Sequence, residues 1–434
     1  MKLKLIYASS VLLLFVLLLT ACGSDESNSA NQNDNSDSEN NGSGTTELEI
    51  LSWWTSGGEA EALNAVIDGF GEEEPNIEIV NAAVAGGGGS NSQAVLSSRL
   101  QGGEPPAVFQ AQGGFDLLRW QEGDYLQSLN DLYEENGWRD VFPETIIDMN
   151  TIDGEIYGIP MNVHRNNMIW YNKKIFDDNG IEPPKTFADF FEIADTLQSK
   201  GIIPLALGDQ NPRWSTLLFE MALLNELGAE DFSALWTGNE DFDTAKIRSA
   251  VNTFSRMLDY TNENHSSLDW QDAADLVASD EAAMLIMGDW ASGFFMSRDL
   301  VANEDFGWVA APGTEDIFNI VNDSMGYPTG VENAEEAEGF LAYLGSAEAQ
   351  AEFNQLKGSI PARTDIDVSD FSEYSQSAAE DFKNLELNLS LAGGSPVPAG
   401  FLSRVDDAIN TFVTQRDPDM LINSLEEAKS LLQE

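Results

Sequence analysis

Cysteine is almost missing from this chain: 434 residues contain a single one, Cys22, and only two histidines. That excludes a disulfide framework, a cysteine-rich zinc site and an iron–sulfur cluster built from this chain alone. Basic residues are scarce as well. Lys and Arg total 21 against 74 Asp plus Glu, a formal charge of −53, and such an excess repels nucleic-acid phosphates and anionic lipid headgroups. Nucleic acid is therefore excluded as a partner. Several chemical signatures are also lacking. The run Gly86-Gly87-Gly88-Gly89-Ser90 has no Gly-Lys-Ser/Thr after it and is not a phosphate loop. Asp148 to Gly154 has Ile152 where a calcium loop needs an oxygen ligand. No Gly-x-Ser-x-Gly elbow, zincin helix or dinucleotide fingerprint occurs, and no cofactor or metal is expected. What the chain does have is 42% hydrophobic and 10% aromatic content, enough for substantial cores in two or three domains.

Long apolar runs are limited to the start. Lys2 and Lys4 precede Leu5 to Leu19, and Leu19-Thr20-Ala21-Cys22-Gly23 follows, the order of a charged segment, an apolar segment and a cleavage site. The apolar stretch is shorter than the roughly 20 residues of a membrane-spanning helix. The tetrapeptide resembles a bacterial lipobox, which implies a signal peptide over 1–21 and lipidation of Cys22. From Gly23 to Thr46 there is no Lys, Arg or bulky apolar residue. Such a segment cannot bury enough surface to fold and reads as a tether over 22–46. The acidity of the whole suits high external salt, where repulsion among carboxylates is screened.

Beyond the tether, strand and helix patterns alternate, which argues an α/β fold. Leu48 to Trp53 reads as a strand, and Leu63, Val66, Ile67 and Phe70 recur at helical spacing after Gly57-Gly58. Ile77 and Ile79, Ala107 to Phe109, and Ile156 to Pro160 read as further strands. Thr186 is the expected N-cap of a helix carrying Phe190, Ile193, Ala194 and Leu197, ahead of a buried strand at Ile202 to Leu207. Strands are expected again at 282–287, 306–310 and 317–321, and the chain closes on helices.

Open α/β sheets bind ligands beyond the carboxyl ends of their strands, so the polar loops there are the places to look. The most suggestive is Trp53-Trp54-Thr55-Ser56-Gly57-Gly58-Glu59. Adjacent Trp residues on a strand point to opposite faces, so one is free to meet a ligand beside a carboxylate and hydroxyls. A sugar needs that combination of an aromatic face and hydrogen-bonding groups. Other polar-aromatic loops are read at Gln110 and Gln112, at His164-Arg165-Asn166-Asn167, at Trp270, at Asp289-Trp290, around Asp323, and at Lys357.

Taken together, Leu51 to Glu59, Asn81 to Asn91, His164 to Asn167, Pro204 to Gly208, Met287 to Trp290 and Leu356 to Arg363 resemble the family 1 extracellular solute-binding proteins of sugar ABC transporters, in particular the glucose-, galactose- and mannose-binding lipoproteins. The resemblance implies a two-lobe periplasmic-binding-protein fold of type II, like maltose-binding protein, with the ligand cleft between the lobes. It implies lobes formed by 47–160 with 313–357 and by 161–312 with 358–434. It implies a non-enzymatic monomer that is exported, held at the outer face of the membrane by its lipid alone, and passes a monosaccharide to permease subunits. Trp53 and Trp54 would flank the sugar, Glu59 and Gln110 would bond it from one lobe, and Asp289 and Trp290 would approach from the other. Asp323 and Lys357 would complete the hydroxyl contacts, with Gln112, His164 and Trp270 in matching context. Two positions depart from the family pattern. Gln112 stands where relatives carry Lys or His, and Gly393 where His is usual, a vacancy that admits a disaccharide. The alternative reading is a surface glycoside hydrolase using an acid pair such as Glu59 and Asp289; a third is a structural or adhesive lipoprotein without a small ligand.

Overall fold

The computed structural model describes residues 45–86 and 89–433. The expected signal peptide, Cys22 and the tether up to residue 44 lie outside the described residues, and Thr46 already opens the first strand. In Thr46–Leu51 the alternation of Leu48 and Ile50 with Glu47 and Glu49 ends in Leu51-Ser52, both buried, as the strand enters the molecule. It pairs in parallel with Ile77–Asn81 on one side and Val108–Gln112 on the other. Asp323–Gly326 and Gly158–Pro160 complete this five-stranded sheet, with Asp323–Gly326 antiparallel to both of its neighbours. Helix Gly57–Glu73 covers the sheet with Ala62, Leu63, Val66 and Phe70, at the helical spacing expected. It packs on helices Ala334–Leu344 and Ala347–Lys357, where the Phe70 ring meets Phe340 at 5.0 Å and Tyr343 at 5.5 Å. Buried side chains of this size contribute about 1.5–3 kcal/mol each.

A second sheet runs in the order Phe306–Ala310, Met168–Asn172, Ala282–Ile286, Ile203–Ala206. Every residue of Ala282–Ile286 is buried, the mark of a strand covered by helices on both faces. Helix Phe187–Ser199 on this body starts at Thr186, whose hydroxyl accepts the Asp189 N–H while the Asp189 carboxylate accepts the Thr186 N–H. This reciprocal cap realises the expected N-cap.

The third sheet, Ile360–Pro361, Asn162–Arg165, Ile317–Val321, Glu386–Leu389, stands between the other two in chain order. The chain leaves the first sheet at Pro160, enters the third at Asn162 and the second at Met168, and it returns from Val321 to the first sheet at Asp323. The third sheet is held by buried amides. Asn167 Nδ2 donates to Thr314 Oγ1 at 2.8 Å and its Oδ1 accepts the Asn319 N–H at 3.1 Å. Asn319 Nδ2 donates to the buried Glu220 carboxylate at 2.9 Å. Burial pushes the Glu220 carboxyl up despite its four hydrogen bonds.

Candidate ligand-binding cleft

Between the first-sheet and second-sheet bodies lies a cleft of about 460 Å³. Five of the ten tryptophans line it: Trp53, Trp54, Trp214, Trp270 and Trp290 are all in its wall. Trp53 and Trp54 follow the first strand. Trp53 is half-buried, its backbone N–H donates to Gln110 Oε1 at 3.0 Å, and Gly89 faces its ring. Gly89 has φ +95°, a conformation that favours glycine, and a Cβ there would come within a tight 3.1 Å of the Trp53 ring. Trp54 is 1% exposed and packs on Phe353 at 4.9 Å between ring centroids, so of the adjacent pair it is the one that joins the core.

Glu59 stands in the first turn of helix Gly57–Glu73, and Lys357 is the last residue of helix Ala347–Lys357. Lys357 Nζ donates to Glu59 Oε1 at 2.7 Å. The Lys357 ammonium also sits 5.5 Å from the Trp54 ring and 5.9 Å from the Trp290 ring, within reach of a cation–π attraction. Across the cleft, Trp290 meets the His164 ring edge-on at 5.2 Å, and Trp214 and Trp270 lie 6.0 Å and 6.5 Å from Trp290. Trp270 opens a helix whose N-cap is Asp269, which accepts the Gln271 and Asp272 N–H groups.

Under these rings lies a buried ionic chain. His164 Nδ1 is in very short contact with Asp289 Oδ1, and Nε2 is 3.1 Å from Asp323 Oδ2. Asp289 Oδ2 accepts the Arg165 N–H and the Tyr374 hydroxyl, both at 2.9 Å. Asp323 Oδ2 also accepts from Asn162 Nδ2 at 2.8 Å, and Gln110 Nε2 donates to Asp323 Oδ1 at 3.4 Å. Burial alone would lower the His164 pKa, but the Asp289 charge and hydrogen bonds to both aspartates outweigh burial and the opposing Lys357 charge, and raise it. Burial would raise Asp323, yet its bond to His164 and the charges of His164 and Lys357 hold it below the usual carboxylate range. Tyr374 is pushed well above its ordinary value by burial and by the Asp289 charge.

The expected site residues thus fall into two groups. Trp53, Trp54, Glu59, Gln112, His164, Trp270, Trp290, Asp323 and Lys357 all line the cleft. Gln110 and Asp289 do not; they stand behind the wall and hold Trp53, Asp323 and His164 in place. Asp289 has no exposed surface and both its oxygens are occupied, and Glu59 is paired with Lys357. Several of these positions are also not loops. Gln110 lies in the middle of strand Val108–Gln112 and Gln112 ends it, His164 and Arg165 end strand Asn162–Arg165, and Asp323 begins Asp323–Gly326. The sequence reading did not single out Asn211, Trp214 or Gln271, which also line the cleft. Asn211-Pro212 follows strand Ile203–Ala206 and opens helix Arg213–Leu235, a polar turn after a strand like the one that carries Trp53 and Trp54.

Two α/β bodies joined by crossing strands, with a polar-aromatic cleft between them, define a type II solute-binding architecture. The chain belongs to the bacterial extracellular solute-binding protein family, whose sequence profile matches residues 54–351. It is 35% identical to an uncharacterized ABC transporter extracellular-binding protein of Pyrococcus horikoshii, over 86% of this chain and 84% of that one. It is 31% identical to a probable sugar-binding periplasmic protein of Rhizobium meliloti, over 85% of this chain and 89% of the relative. Among solved structures, the bacterial solute receptor AcbH, described as having an exclusive preference for β-D-galactopyranose, superimposes with a TM-score of 0.79 at 17% identity, over 89% of this chain and 98% of that one. That likeness concerns the fold.

Proposed function

We propose that this protein captures a neutral sugar for an ABC importer, seating a hexopyranose of the glucose, galactose or mannose kind in the cleft. The observation that carries the reading is the enclosure of five tryptophans above a floor of Glu59, Lys357, His164 and Asp323. Indole faces suit the C–H side of a pyranose, and charged groups at its rim form stronger hydrogen bonds with hydroxyls than neutral ones do. The name of the Rhizobium meliloti relative supports the same class. In this reading Glu59 and Asp323 accept from hydroxyls, Lys357 and Gln112 donate to them, and Trp53, Trp270 and Trp290 enclose the ring. Residues 47–160 with 313–357 and 161–312 with 358–434 form the two lobes that close over it, with the third sheet as the hinge. The protein works as an exported monomer, tethered through lipid on Cys22; loss of acyl labelling and of membrane retention in Cys22→Ala, with sugar binding unchanged, is the expected result.

Calorimetry with glucose, galactose and mannose tests the site. Trp54→Ala would confound it by opening the core, so Trp53→Ala and Glu59→Gln are the informative variants. Each is expected to weaken the best hexose by about tenfold or more, since a hydrogen bond to a charged group contributes about 1.5–3 kcal/mol and about 1.4 kcal/mol is one decade. Parent-like affinity in both variants places the sugar elsewhere, and a parent that binds no sugar at all overturns the reading.

A further inference from the structure

Glu220 lies in helix Arg213–Leu235, has no exposed surface and is not part of the cleft wall. Each of its carboxylate oxygens accepts two hydrogen bonds, all from neutral donors. Oε1 accepts from the Leu391 N–H at 2.7 Å and Asn319 Nδ2 at 2.9 Å, and Oε2 from the Ala392 N–H and the Ser390 hydroxyl, both at 3.1 Å. We propose that Glu220 is a positioning residue for sugar capture: by gripping the turn 390–395 it ties the cleft wall of one lobe to that of the other and sets sugar affinity from outside the cleft. The proposal rests on the sugar and two-lobe readings above and extends them.

Three observations carry it. The first is what the turn needs. Residues 390–395 are buried but lie outside the strands and helices, so their backbone N–H groups must find acceptors away from water. Glu220 supplies them to Leu391 and Ala392, Ser390 Oγ accepts the Gly393 N–H at 3.0 Å, and the Leu391 carbonyl accepts the Gly394 N–H at 2.9 Å. A carboxylate buried without a bonded cation is costly, and the donors it collects here offset that cost.

The second observation is where the turn leads. Arg213, seven residues before Glu220 and on the same helix face, donates to the Ala392 carbonyl at 2.9 Å, so the helix holds Ala392 by both its N–H and its carbonyl. The same helix presents Trp214 to the cleft. At the other end, the Ser395 carbonyl accepts the Phe115 N–H at 3.1 Å, three residues beyond Gln112 of the opposite cleft wall.

The third observation is closeness. Gly114 has φ +93°, and a Cβ there would run into the Ser395 carbonyl; a Cβ on Gly393 would come 2.7 Å from Val321 Cγ2, a residue of the cleft wall. The turn thus has no slack against the first lobe or the cleft, and a displacement at Glu220 is passed to both. Without the grip, the sugar itself has to order the two walls, and that cost is taken from its affinity.

Calorimetry and stopped-flow tryptophan fluorescence with whichever of glucose, galactose and mannose the parent binds best are the test, with a cooperative urea transition confirming that each variant is folded. Glu220→Gln keeps the shape but turns an amide donor toward N–H groups, and Gly114→Ala pushes on the turn from its other end. Each is expected to weaken the hexose by about tenfold, mainly through faster dissociation. The double variant is expected to bind no more weakly than the poorer single one, because both cut one connection. Phe190→Leu, in the aromatic core of the same lobe against Phe187 and Phe191, is expected to lower stability and leave affinity unchanged. Should Glu220→Gln not fold, Ser390→Ala takes its place; it removes one of the four donors and is expected to weaken the hexose by about threefold. Parent-like affinity in the folded variants, losses that add in the double variant, or an equal loss in Phe190→Leu overturns the proposal and leaves the sugar reading intact. A parent that binds no hexose overturns the sugar reading and this proposal with it.

Discussion

Asp289 and Asp323, almost wholly buried, each face a ring nitrogen of His164, whereas Asp178 and Asp231 meet Lys174 and Lys246 with more than half of every side chain in water. The carboxylates are chemically the same, but an exposed pair gains about 0–1 kcal/mol because water and salt screen it. A buried carboxylate is tolerated only while its partners are in place, and removing one side of such a pair costs about 3–5 kcal/mol. In this molecule the few carboxylates under the cleft therefore carry individual energetic weight, and the many outside act only as a collective field.

The sharpest way to break the contrast is Asp289→Ala. It strips the acceptor from His164 Nδ1, the Arg165 N–H and the Tyr374 hydroxyl at once. The expected loss is about 3–5 kcal/mol in urea denaturation, while Asp231→Ala is expected to change stability by no more than about 0.5 kcal/mol. Equal effects from the two would mean that burial does not separate them.

A titration probes the same cluster more gently. The folded pKa of His164 lies above its ordinary 6.5. Its contribution is therefore fully present below pH 6.5 and is lost as pH rises through the raised folded value. The folded pKa of Asp323 lies below its ordinary 3.8, so its contribution is present above pH 3.8 and is lost as pH falls through the lowered value. The urea midpoint is expected to form a plateau between these limits. His164→Gln should remove the fall on the alkaline side; an unchanged alkaline limb would assign that limb to other groups.

The exterior was far more legible in the sequence than the cluster. Helix Gly57–Glu73 shows its buried face as a 3.6-residue period, and the Thr186 cap is a local signal completed three residues later by Asp189. Asn162–Arg165 has no such signal, because all four residues are buried and polar residues occupy three of the four positions. A strand enclosed on both faces loses its alternation, and here the polar positions are satisfied by partners more than a hundred residues away. Helix Glu373–Asn384, which brings Tyr374 to Asp289, is missed for another reason: its stripe of Tyr374, Ala378 and Phe382 is thin and lies among Glu, Ser, Gln and Asp, and it fully buries only Tyr374, Ser375 and Ala378. The cleft residues nearest the first strand were readable because they are contiguous. The supporting roles of Gln110 and Asp289 were not, since nothing local distinguishes a carboxylate that touches a ligand from one that holds the residue that does.

The smallest expected effect belongs to the exterior field. With a formal charge of −53, mutual repulsion among surface carboxylates opposes folding, and we propose that the protein is adapted to salt that screens it. The Debye length falls from about 10 Å at 0.1 M to about 3 Å at 1 M, shorter than most separations between exposed charges, whereas the buried cluster excludes the ions that would screen it. Sodium chloride should therefore raise the melting temperature of the sugar-free parent by a few degrees over this range. It should raise that of Asp289→Ala by the same increment, because the lost interaction is not the one being screened. A melting temperature flat in salt would remove the case for adaptation, and a salt increment that shrinks in Asp289→Ala would show that the cluster and the exterior share one field.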